Sequence, residues 1–165
     1  MGTRNLISVI KDGKPVIAQY GQWDGYPSGQ GAGVLQFLNS GDLDKLTNKL
    51  SKVRFLDIDG KDADFVKRYD SGDRTEADSS WFNNFISRDL GSDILANVAN
   101  SELDEIILKD SYDFGKDTVS CEYAYTINLD DNTFTIQQDF TCDPMKTYDL
   151  SNLPDENQFL SDLEE

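Results

Sequence analysis

Five glycines, one proline and three aromatic residues crowd the stretch Tyr20–Gly33, YGQWDGYPSGQGAG, where the chain's capacity to bind a ligand concentrates. Glycine lets backbone turn with positive φ or approach another group closely, at a cost of about 0.5–1 kcal/mol in regular structure. Such density marks a built loop. Its side chains suit recognition: an indole to stack on a planar molecule through Trp23, with Gln22 and Asp24 to fix orientation. GQGAG at Gly29–Gly33 precedes a predicted helix, whose first amides are placed to hold an anion. The spacing is GxGxG, however, without the lysine of a P-loop or the dinucleotide fingerprint, and a compact Ω-loop with Trp23 tucked inward competes with it.

Other chemistries are narrowed by what is missing. The chain has no histidine, which removes the usual general base and the commonest zinc ligand. Its two cysteines, Cys121 and Cys142, are too few for a thiolate zinc site. Asp57, Asp59, Asp62 and Asp64 alternate in DIDGKDAD, but an EF-hand order would need a glutamate at its twelfth position, where Arg68 stands. No metal and no cofactor is expected. A threonine nucleophile that uses its own amine tolerates the absence of histidine. Thr3 could serve only after cleavage behind Gly2.

Several elements must position these residues. Leu6–Ile10, a Lys11–Lys14 turn and Pro15–Tyr20 form a hairpin pattern. Val34, Leu35 and Leu38 mark one helix face, and Leu43, Leu46 and Leu50 mark a second behind Asp42. Val53–Ile58 reads as a short strand and Asp62–Tyr69 as a helix. Ser79 or Ser80 begins a helix bearing Trp81, Phe82, Phe85 and Ile86, and Ser92 caps the next. Val119–Leu129 and Thr133–Phe140 alternate as strands. A two-residue turn at Asp131-Asn132 pairs Ile127 with Ile136 and sets Cys121 opposite Cys142, both reduced in a reducing compartment. The fold class is α+β: an antiparallel sheet from N- and C-terminal hairpins, with several helices inserted between them. Residues 1–150 form one domain, and 151–165 an acidic, flexible tail.

Charge divides the chain. Residues 1–60 carry seven Lys/Arg against six Asp/Glu, and residues 61–165 carry eight against twenty-five. The net charge of −16 argues against direct nucleic-acid binding and against membranes. No signal-peptide pattern or bilayer-length apolar run is present, so a soluble, cytoplasmic protein is expected. The acidity serves solubility, or it builds a decoy for a basic groove, with Asp104, Glu105, Asp110 and Asp113 as the partner-binding carboxylates.

MGTRNL together with AQYGQWDGYPSGQG resembles a family of small, largely uncharacterised proteins of phages, prophages and bacteria, with relatives in fungi. A second string, SRDLGSDIL at Ser87–Leu95, resembles the same family. The resemblance implies that Gln19, Tyr20, Gln22, Trp23, Asp24, Tyr26 and Gln30 belong to a shared structural or ligand-binding element, and it carries over no catalytic residue. A phage-type origin implies an antagonist of bacterial immunity acting in the host cytoplasm. The expected function is a non-enzymatic binder of a host defence protein or a nucleotide-like small molecule. The alternatives are an N-terminal-nucleophile-like hydrolase and a structural or assembly protein.

Overall fold

The computed structural model describes residues 2–164, and among them seven strands and six α-helices follow one another. β1 (Asn5–Lys11) and β2 (Lys14–Gly21) form the first hairpin, turning at Asp12 and Gly13, both with positive φ. Then come α1 (Ala32–Asn39), α2 (Leu43–Lys49), β3 (Val53–Phe55), α3 (Ala63–Ser71), α4 (Glu76–Trp81) and α5 (Asp93–Ala99). β4 (Ile106–Leu108), β5 (Tyr123–Asn128), β6 (Thr133–Gln137), β7 (Lys146–Asp149) and α6 (Glu156–Asp162) complete the order. The α+β class stands. A helix start differs: α4 begins behind Thr75, whose hydroxyl and the Asp78 carboxylate form a reciprocal capping box, ahead of the expected Ser79 or Ser80.

The main sheet has the order β2-β1-β5-β6-β7, and here the expectation of a purely antiparallel sheet is corrected. β1 runs parallel to β5, so the two hairpins join side by side with their turns at the same end. A parallel pair needs a long crossover, which the helices α1–α5 supply. With a neighbour on each side, β1 is buried on both faces: Leu6, Ile7, Ser8 and Val9 have no exposed surface. Ile7, Val9, Tyr125, Ile127 and Phe134 pack into one core with Val34 and Leu35 of α1 and Ile94 and Leu95 of α5. A second sheet, missing from the sequence reading, pairs β3 with β4 in parallel.

The second hairpin keeps the expected faces but not the expected register. Ile127 pairs with Phe134 and Tyr125 with Ile136, so a four-residue turn, 129–132, replaces the two-residue one. The slip is by two positions, which returns every side chain to its own face. Its cause is local. Asn128 Oδ1 accepts the N–H groups of Asp130 and Asp131, and Asp130 turns outward to accept those of Asp12 and Gly13 at the neighbouring hairpin tip, both at 2.8 Å. The Gly13 and Asp12 bonds hold the Asp130 carboxyl below the usual range. The cysteines are therefore not opposed. Both are free, and Cys121 is buried, with its thiol pushed up to about 12 by burial.

The acidic end is not a loose tail, which corrects the domain expectation. Asp155 accepts the Gln158 N–H and starts α6, and Phe159 inserts fully buried against Phe134 and Tyr148. Tyr148 donates its hydroxyl to Asp162 Oδ2 at 2.8 Å. Phe159 and Leu163, one helical turn apart, are buried, and Leu153 and Leu160 pack partly against the core, a short apolar set within a polar segment. Phe159→Ala should cost about 3–5 kcal/mol in urea denaturation, as for other large-to-small core changes. A loss under about 0.5 kcal/mol, the size of a surface substitution, would restore the loose tail.

Candidate functional site

The glycine-rich loop is held from outside, along its whole length, by the segment that follows α4. Gln19 Nε2 donates to Ser87 O (3.0 Å), Gln22 N to Arg88 O (3.2 Å), and Trp23 Nε1 to Asp89 Oδ1 (2.7 Å). Ser92 N donates in return to Gln30 Oε1 (2.7 Å). Backbone closeness enforces the fit. A Cβ on Gly91, whose φ is +52°, would come within 2.2 Å of Gln30 Oε1, and one on Gly33 within 2.1 Å of Ser92 Oγ. From below, the buried Tyr125 hydroxyl donates to Gly25 O at 2.6 Å, and Gly25 N donates to Thr3 O. The strings Ala18–Gly31 and Ser87–Leu95 thus form one interlocked unit.

The bonds within the loop bear on two expectations. The amides of Gly29, Gln30 and Gly31 donate to Tyr26 O, Asp24 O and Tyr26 O, so the loop's own carbonyls occupy the place of an anion. A tight π-type turn over Pro27–Gly31 results, leading straight into α1. Trp23 is 45% exposed, but its N–H is engaged by Asp89 and its ring lies on Gly2, so it braces the N-terminal segment. Nor do the seven loop residues converge. Asp24, Tyr26 and Gln30 line an open acidic cleft with Asp89 and Asp93, Tyr26 also borders a second with Thr3, Glu122 and Met145, and Gln19 and Tyr20 lie at a third. Thr3, the candidate nucleophile, is buried, and Gly2 before it is packed against Gln22 O.

The four carboxylates expected on one partner-binding face are divided between the two ends of β4. Before it, Glu105 pairs with Arg54 (3.1 Å), which also grips the buried Asp62 through both carboxylate oxygens, and Asp104 is exposed. The Arg54 bonds hold Asp62 below the usual carboxylate range. After β4, Asp110 accepts the Tyr112 N–H and Asp113 pairs with Lys116. Much of the acidity builds turns: Asp117 accepts the Ser120 and Val119 amides, and Asp139 the Thr141 amide and hydroxyl.

Two sequence candidates from each set do meet. A cleft of about 260 Å³ lies between Gln19 and Tyr20 of β2, Arg88, and the segment Lys109–Phe114 that carries Asp110 and Asp113. Its size falls just under the ~300–1,000 Å³ usual for drug-sized ligands. Tyr20 and Phe114 meet edge to face with ring centroids 4.7 Å apart. Gln19 is 4% exposed, and its Nε2 donates to two carbonyls, Ser87 O and Tyr20 O. That fixes the amide's orientation, since only the nitrogen can donate. Its Oε1 then has no partner among the described residues, yet it keeps contact with open space. Arg88 and Lys109 likewise make no side-chain hydrogen bond or ion pair among the described residues. Sequence reasoning missed both, along with Ser111 and Phe114. The available signal was their rarity, as two of eight cations among twenty-five acids.

The chain matches no family model, and no curated protein or solved structure matches it either.

The interlock has a direct test in Gly91 and Gln30. Gly91→Ala should destabilise by roughly 1–3 kcal/mol, through its positive φ and the clash, and Gln30→Ala by about 1 kcal/mol. Because removing the Gln30 amide relieves the clash, the double variant should lose at least ~0.5 kcal/mol less than the sum in urea denaturation. Strict additivity would show that the two loops do not press on one another.

Proposed function

We propose that this chain is a non-enzymatic binding protein that holds a small polar molecule in the cleft between Gln19, Tyr20 and Phe114. Gln19 is the observation that carries it. Both hydrogens of its amide are donated to protein carbonyls, so this nearly buried side chain offers an acceptor oxygen without a partner among the described residues, in a fixed orientation, beside a cleft edged by two aromatic rings. A ligand with an N–H or O–H donor completes that arrangement. The absence of histidine and the packing of Gly2 ahead of Thr3 favour binding over catalysis.

In the setting that the family resemblance implies, the protein is an antagonist of bacterial immunity that sequesters a small signal. The cleft supports sequestration over blockade of a basic groove, because the carboxylates available for blockade are split by β4 and partly engaged by Arg54 and Lys116.

Phenol and acetamide, added at millimolar concentration as minimal donor probes, test the site without presuming its ligand. They should shift the amide resonances of Gln19, Tyr20, Ser111 and Phe114, and Ser111→Trp, which fills the cleft, should remove those shifts while the rest of the spectrum is retained. Shifts centred on Tyr26 and Met145, or on Asp24 and Asp89, would place the site elsewhere.

A further inference from the structure

Resting on the cleft as the binding site, we infer that its ligand is a mononucleotide: a planar base with an N–H donor toward Gln19 Oε1 and a phosphate held by Arg88 and Lys109. The charge of the chain makes those two cations informative. A protein of net charge −16 repels anions at long range, and Arg88 and Lys109 offset that field locally because both line the same cleft. Asp110 and Asp113 line the same cleft, but neither forms an ion pair with Arg88 or Lys109. Asp110 accepts the Tyr112 amide and Asp113 pairs with Lys116 at 3.1 Å. Arg88 and Lys109 thus reach the cleft with their donors open.

The groups differ in what they recognise. A guanidinium offers a planar fork that matches two oxygens of one phosphate, and an ammonium adds a compact point charge. Gln19 can only accept, because both its amide hydrogens are donated to Ser87 O and Tyr20 O. Tyr20 and Phe114 present aromatic surface suited to a flat ring. An aliphatic amino acid or a sugar phosphate would supply no plane, and an aromatic amino acid would offer the two cations a single carboxylate beside its own ammonium. A nucleobase monophosphate supplies plane, donor and phosphate, at a size compatible with a cleft of about 260 Å³.

Isothermal titration of the full chain with AMP, GMP, CMP and UMP, their nucleosides and inorganic phosphate tests this. At least one monophosphate should bind about tenfold or more tighter than its nucleoside. The double variant Arg88→Gln/Lys109→Gln, at exposed positions that brace nothing, should erase that preference and leave the nucleoside affinity in place. Methylating the donating N–H of the preferred base should weaken binding about tenfold. Nucleosides that bind as tightly as their monophosphates would overturn the inference. So would silence from every nucleotide while phenol and acetamide still shift Gln19 and Phe114, in which case the cleft remains a site for another ligand. If those two probes also fail, the cleft itself is not the site, and the inference falls with it.

Discussion

Everything near the candidate site depends on one constraint: two loops 62 to 68 residues apart in sequence must supply each other's hydrogen-bond partners. The glycine-rich loop satisfies its own backbone only in the turn over Pro27–Gly31, and the Ser87–Ser92 segment only through short local bonds such as Leu90 N to Ser87 O. An unpaired buried amide or carbonyl costs about as much as a lost hydrogen bond. Gln19, Gln22, Trp23 and Gln30 meet that demand from one side, and Ser87, Arg88, Asp89 and Ser92 from the other. Glycine at positions 33 and 91 lets the two chains come near enough for it. The cleft is a by-product of this contact. Gln19 is fixed by Ser87 O, and its remaining oxygen is left open beside Tyr20.

The acidity of the second half follows a similar logic. Asp117, Asp130, Asp139 and Asp155 each accept backbone N–H groups at a turn or helix start. Arg54 and Arg68 grip Asp62 and Asp78 through paired hydrogen bonds, which lower both carboxyls from their ordinary range. A carboxylate used in this way carries its charge as a consequence of local folding. This accounts for many aspartates without a directed electrostatic field, and it leaves Arg88 and Lys109 as two cations that line one cleft without an ion pair among the described residues.

Much of the fold was legible because periodicity reports which face is buried. The first hairpin, α1, α2, α5 and the faces of β5 and β6 follow from alternation or from three- and four-residue apolar steps. What escaped was decided by distant partners. The register of β5 and β6 depends on Asp130 reaching a turn 118 residues away, and the parallel β1–β5 pairing on a crossover that no local pattern encodes. β4 is three residues long, and α6 is a short helix anchored mainly by Phe159 and Leu163 and by the Tyr148–Asp162 hydrogen bond. For the site, the sequence drew attention to the loop and to Asp110 and Asp113. It could not show that Trp23 and Gln30 brace the structure, that Gln19 and Tyr20 face the cleft, or that Arg88 joins them there.

The interlock is tested most directly by native-state hydrogen exchange at the amides of Gln22 and Ser92, which lie on opposite loops and donate across the contact in opposite directions. If the two loops stand or open as a unit, both amides exchange with the same opening free energy. Gln30→Ala should then speed both about tenfold or more, although Gln22 does not bond to Gln30. Loss of protection at Ser92 alone, with Gln22 unchanged, would contradict the account: the loops would then be independent, and the cleft beside Gln19 would owe nothing to their contact.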